Sequence, residues 1–179
     1  MTKNLAMTAL CLMLPALCLA DEEKPVPTAA ETTLVTVGEE APDFTVGMLD
    51  KTTFTLSEHR GEIVLINWFA TWCGPCKAEM PHLQSEVWEK FAERGLVMVS
   101  IAREENTDVV APFVKEYKVT WSFAMDPERT AYAQYAEAYI PRNFVVNAEG
   151  KVIFQSSGFE DEDFQEMVRT IDEALASSE

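Results

Sequence analysis

A chain of 179 residues with 14 Lys and Arg against 30 Asp and Glu carries a formal net charge of −16. So acidic a chain is ill suited to nucleic acid, whose binding depends on cations that neutralise phosphates, and to anionic membrane surfaces. Its charge serves solubility, and its length provides one domain with a sizeable core, with no internal repeat and no second boundary.

Residues 1–20 place one cation, Lys3, before an apolar stretch from Leu5 to Leu19 and end on the small residue Ala20. This is the layout of a secretory signal peptide, with Cys18 and Ala20 at the cleavage positions, and it is too short and poorly flanked for a membrane span. Cleavage after Ala20 removes Lys3 and no acidic residue, so the remainder is more acidic still. It also removes Cys11 and Cys18, leaving Cys73 and Cys76 to bridge each other or a foreign thiol. A rival layout makes Cys18 a lipidated first residue, which Leu17 disfavours by occupying a place that normally holds a small side chain. Residues 21–37, with Pro25, Pro27, Thr28, Ala29 and Ala30 among scattered Glu, have little to bury and read as a flexible linker. Residues 38–179 remain for the domain.

The domain opens with a hairpin: Phe44-Thr45-Val46 and Thr53-Phe54-Thr55-Leu56 flank the turn residues Asp50-Lys51. Ile63 to Phe69 then lacks polar alternation except at Asn67, as a strand covered on both faces should.

That strand leads into Trp72-Cys73-Gly74-Pro75-Cys76, the most informative segment of the chain. It reads as a buried strand that delivers two cysteines to the first turn of a helix. There the free backbone N–H groups and the macrodipole favour negative charge, so a thiolate is stabilised and its pKa falls. A low-pKa thiol with a second thiol one turn away can attack a disulfide and then release its partner. A structural staple fits less well, because a two-residue gap removes little unfolded-chain entropy. Zinc needs four ligands, and beyond this pair the chain offers only Cys11, Cys18, His59 and His82, none at ligand spacing. Dithiol–disulfide exchange is the leading reading.

A helix should run from Gly74 to Arg94, kinked at Pro81 and ended by Gly95. Leu96 to Ile101 is the next buried strand, and Asp108 to Tyr117 fits a helix with Val109, Val110, Phe113, Val114 and Tyr117 on one face. Trp121 to Met125 is a short strand, and Glu128 to Ala138 reads as a helix. Asn143 to Asn147 and Lys151 to Gln155 form a second hairpin, and Asp161 to Ala176 is an amphipathic helix with Phe164, Met167, Val168, Ile171 and Leu175 inward. Strands alternating with helices make an α/β sandwich around a mixed sheet.

Ala41-Pro42-Asp43-Phe44, Leu56 through Gly61, Asn67 through Pro81 with its Cys-Gly-Pro-Cys core, and Ile140-Pro141 together resemble the TlpA/ResA group of thioredoxin-fold thiol-disulfide oxidoreductases. The resemblance implies a thioredoxin fold with an N-terminal β-hairpin extension. It also implies that Cys73 is the exposed nucleophile and Cys76 the buried resolving thiol. Gly74 and Pro75 are the intervening pair of thioredoxin itself, which points to a reducing poise; Trp72 accompanies them in the substrate-facing motif. Pro141 matches the family's cis-proline, beside which the backbone of Ile140 would pair with an extended substrate segment. Asn67 stands where thioredoxin has its buried acid, and Glu79 stands where the ResA-like group carries a glutamate, three residues after the second cysteine. Glu79 is thus the expected proton handler for Cys76, desolvated against the Trp68 strand. Arg142 and Asn143 depart from the small or hydroxyl residues usual after the cis-proline; Arg142 is expected to point to solvent rather than toward Cys73.

The expected enzyme is an exported reductase of the bacterial envelope or periplasm, acting as a monomer on cysteine-containing envelope proteins. It calls for no cofactor, metal or nucleic acid. It needs a membrane electron-donor thiol protein, because the periplasm is kept oxidising kinetically. A peroxiredoxin would share the scaffold but needs Thr and Pro where Ala70 and Ile66 stand. A non-catalytic module using the two thiols to handle copper is the alternative, with Met80 the one Met close by as a further soft ligand.

Overall fold

The computed structural model describes residues 25–177. The leader over residues 1–20, with Cys11 and Cys18, lies outside the described residues.

The hairpin pairs β1 (Thr45–Met48) with β2 (Thr53–Thr55) in antiparallel register, Val46 opposite Phe54. β3 (Ile63–Phe69), β4 (Leu96–Arg103) and β5 (Ser122–Asp126) are parallel, and β6 (Arg142–Val146) and β7 (Val152–Ser157) form the antiparallel end. The sheet order is β2-β1-β5-β4-β3-β6-β7, a mixed seven-stranded sheet with the hairpin added at the β5 edge. β3 lies inside the sheet between β4 and β6 with all seven residues buried, as its apolar run requires.

Alternation along β3 divides the core. Ile63, Leu65 and Phe69 face a layer built by α1 (Gly74–His82), α3 (Thr107–Tyr117) and α5 (Asp161–Ser177). Val64, Ile66 and Trp68 face Phe44, Phe54 and the Tyr132–Tyr135 turn on the other side. In α5, Phe164, Met167, Ile171 and Leu175 are buried at helical spacing, each contributing about 1.5–3 kcal/mol by leaving water. No helix among the described residues is long and apolar enough to cross a membrane.

Four differences from the sequence reading have physical causes. The helix from Gly74 continues to Arg94 in pieces: Pro81 lacks an N–H, and beyond α1 the chain widens into a π-helical stretch, Leu83–Trp88, before α2 (Glu89–Phe91) and a tight last turn. The helix expected over Glu128–Ala138 shrinks to one turn, α4 (Tyr132–Tyr135). There the Asp126 carboxylate accepts from the backbone of Thr130, Ala131 and Tyr132, Arg129 is left-handed at φ 57°, and Ala136 turns extended to pair with Thr33. α3 turns Val110 and Phe113 inward, but Val109 is exposed. Last, the segment read as having little to bury does bury Thr32 and Val35, for reasons that lie in Arg142.

Candidate active site

β3 ends at Phe69, and the following turn redirects the chain into α1. The Thr71 backbone N–H and hydroxyl both donate to the Glu105 carboxylate, at 2.8 and 2.6 Å, which ties this turn to the loop after β4. Cys73 is the N-cap of α1, with extended φ −76° and ψ 115°, and its Sγ accepts the Cys76 N–H at 3.2 Å. A sulfur thus satisfies one of the donors that every helix start leaves free. Pro75 sits in the first turn, where its missing N–H costs nothing.

Cys73 and Cys76 are joined as a disulfide. Cys76 is fully buried and Cys73 is 4% exposed, so the difference in access runs as the resemblance implies but is small. Cys73 is not an exposed thiol: the Ile140 carbonyl oxygen lies 3.7 Å from its Sγ and the walls of a groove cover it. That groove, 590 Å³ in volume, is lined by Trp72, Cys73, Gly74 and Pro75 on one side and by Tyr139 and Ile140 on the other, with Val26, Pro27 and Arg103 also reaching it. Trp72 is 64% exposed at its edge. The Ile140–Pro141 peptide is cis.

Glu79 is buried on the inner face of α1, and its two oxygens accept from Asn143 Nδ2 at 2.6 Å and Asn67 Nδ2 at 3.0 Å. Burial pushes its carboxyl up to about 7, while the bonds from Asn143 and Asn67 oppose that rise. Trp68, the residue named with its strand in the sequence reading, faces the opposite layer; the β3 residue that meets Glu79 is Asn67. The pairing with Asn143 was not foreseen. Its one signal was the departure from the family pattern after Pro141.

Arg142 corrects the sequence reading outright. It is fully buried rather than in solvent, and it points away from Cys73. Its guanidinium donates to the Ala138 carbonyl at 2.9 Å, Thr33 Oγ1 at 2.7 Å, the Ala29 carbonyl at 3.0 Å and Thr32 Oγ1 at 2.8 Å. Four neutral acceptors thus hold one buried cation, and the chain over residues 29–33 is fastened to the loop before Pro141 as a result. The Tyr139 hydroxyl adds a bond to the Pro27 carbonyl at 2.5 Å. This is why residues 29–33 of the expected linker are held against the domain, and why Val26 and Pro27 reach the groove.

Comparison with known proteins agrees with this geometry. The AhpC/TSA family profile matches residues 37–155. A thiol-disulfide oxidoreductase ResA of Bacillus thuringiensis is 32% identical over 122 residues, 68% of this chain and 70% of the relative. The solution structure of a candidate protein disulfide isomerase from Bacteroides thetaiotaomicron superposes with a TM-score of 0.78 at 34% identity, covering 81% of this chain and 93% of that one. A candidate thiol:disulfide interchange protein DsbE from Chlorobium tepidum gives a TM-score of 0.72 at 26% identity, covering 79% and 99%.

Proposed function

Since the chain belongs to the AhpC/TSA family and, like the ResA relatives it matches, is a thiol-disulfide oxidoreductase, we propose that it is exported and reduces disulfides in cysteine-containing envelope proteins. The observation that carries this reading is the Cys73–Cys76 pair at the start of α1, its first sulfur beside the Ile140 carbonyl and its second buried.

In the reduced enzyme the Cys73 thiolate attacks one sulfur of a substrate disulfide. A Cys73–substrate bond forms, the substrate S–S bond breaks, and one substrate thiolate leaves. Cys76 then passes its proton to Glu79 and attacks Cys73 Sγ, which closes the enzyme disulfide and expels the second substrate thiolate. Two electrons have moved from enzyme to substrate, and a thiol protein of the membrane returns them. Trp72, Gly74, Pro75, Ile140 and Pro141 would line the path of the substrate, the Ile140 backbone pairing with an extended segment. Residues 1–20 serve as the export leader and residues 38–179 as the working domain in this reading.

Peroxide reduction finds no support at the positions it would need, since Ile66 and Ala70 are fully buried apolar residues. The test is reduction of insulin disulfides by a dithiol with and without the protein. Acceleration that is lost in Cys73→Ser supports the assignment, and no acceleration overturns it. Trapping mixed disulfides in cells with Cys76→Ser then names the substrates.

A further inference from the structure

Glu79 ends a chain of buried side chains that crosses the sheet. Trp121 Nε1 donates to Ser100 Oγ at 2.9 Å, and Ser100 Oγ donates to Asn67 Oδ1 at 2.8 Å. Asn67 Nδ2 donates to Asn143 Oδ1 at 2.8 Å and to Glu79 Oε2 at 3.0 Å, and Asn143 Nδ2 donates to Glu79 Oε1 at 2.6 Å. Trp121 fixes the sense of the chain from one end, as an ionised Glu79, able only to accept, does from the other. An indole nitrogen can only donate, so Ser100 accepts from it and sends its single proton to Asn67. Asn67 must then show its carbonyl to Ser100 and its NH2 to Glu79 and Asn143. Asn143, accepting from Asn67, turns its own NH2 to Glu79. Released from that constraint, either amide could exchange oxygen and nitrogen by a half-turn about its last bond.

We propose that Trp121, acting through Ser100, Asn67 and Asn143, is a positioning residue that holds both Glu79 oxygens as hydrogen-bond acceptors and so keeps the carboxyl ready to receive the Cys76 proton. The inference rests on the reading of Glu79 as proton acceptor for Cys76, and adds what sets its readiness. Two donated N–H bonds favour the carboxylate over the acid, against burial. An inverted amide would set its carbonyl against a carboxylate oxygen, an arrangement tolerated only with a proton between them. Glu79 would then keep its proton and decline that of Cys76.

The ionisable surroundings leave these amides in control. On its own helix Glu79 has Cys76, Lys77 and His82 as neighbours. β3 and β4 present Asn67 and Ser100, and β7 places the neutral Ser156 opposite Asn143. Arg142, on β6, sends its side chain to Thr32 and Thr33 on the other face. Burial, Asn143 and Asn67 account for the shift of Glu79, with no charge pair contributing.

The experiment follows the Glu79 carboxyl itself in the oxidised protein, by infrared or carbon NMR, with the signal assigned by its loss in Glu79→Gln. Trp121 stacks on Phe123 at 5.2 Å, and Trp121→Phe keeps an aromatic ring there while removing the N–H together with part of the indole. Asn143→Ala removes one donor outright. The midpoint should rise by about one pH unit, about tenfold in proton affinity, in Asn143→Ala, and by a smaller step in Trp121→Phe. Should Trp121→Phe fail to fold, Ser100→Ala breaks the chain one link on and carries the same expectation. A midpoint that stays or falls in these variants overturns the inference. Failure of the underlying reading is seen elsewhere, as a Glu79→Gln protein that resolves mixed disulfides at the wild-type rate.

Discussion

The Cys76 backbone N–H points at Cys73 Sγ across 3.2 Å, so the first sulfur fills the place where helices usually set a serine or aspartate oxygen. A thiolate at that cap gains a charge-assisted hydrogen bond on top of the helix dipole, whereas Cys76, further into the first turn, is fully buried. Alkylation of the reduced protein near neutral pH should therefore label Cys73 first, and peptide mapping reads the order. Equal labelling, or Cys76 first, would contradict the assignment of nucleophile.

Glu79 also predicts how stability depends on pH. Its folded carboxyl titrates at about 7 against an ordinary value of 4.5. Between those values the folded chain holds a proton that the unfolded chain has lost. The stabilising effect is complete below pH 4.5 and declines as pH rises through 7, by on the order of 3 kcal/mol in total. Denaturant midpoints of the oxidised protein from pH 5 to 9 should fall through that window and level off above it. The slope should vanish in Glu79→Gln; parallel profiles for the two proteins would refute the account.

Arg142 makes a second kind of forecast, about the chain over residues 29–33. Arg142→Ala leaves the Ala138 carbonyl without its donor and reduces Ala29, Thr32 and Thr33 to the bonds they make among residues 28–33, so it should cost on the order of 3 kcal/mol. Residues 26–34 should then become the first point of limited proteolysis. Arg142→Lys, with a single nitrogen in place of the fork, should restore only part of the protection. Unchanged cleavage patterns in both variants would rule out the fastening role.

Trp72 separates substrate contact from stability. At 64% exposed it buries little within its own chain, so Trp72→Ala should shift unfolding by no more than about 0.5 kcal/mol. The same change removes an aromatic wall from the groove, and KM for protein disulfides should rise severalfold while turnover of a small aromatic disulfide is kept. Equal effects on both substrates would place Trp72 outside the contact surface.

Much of the architecture was legible because its cues are local. The apolar run of β3, the period of α5 and the turn residues of both hairpins each declare themselves within a short window. The cysteine pair was legible for the same reason, whereas Glu79 was singled out through the family resemblance. What escaped is long-range. Nothing near Arg142 in sequence announces that its acceptors are Ala29, Thr32 and Thr33, more than a hundred residues away. Asn67 stood out as the one polar residue in β3, but its partners Asn143 and Ser100 lie on neighbouring strands, and only register brings them together. The Glu128–Ala138 helix failed because helix propensity lost to a side chain: the Asp126 carboxylate collects the backbone N–H groups of Thr130, Ala131 and Tyr132 and so sets the start of the helical turn later.

The described chain leaves the sheet at opposite ends, which matters to anyone who must attach something to it. Pro27 borders the dithiol groove beyond the end of β3, whereas Ser177 lines a hollow with Gly61 and Ile63 at the start of that strand. A strand of this length separates the two by roughly 20 Å. A purification handle, surface linker or fluorescent fusion joined behind Ser177 keeps clear of incoming substrate. The same cargo spliced just ahead of Pro27 stands in the doorway.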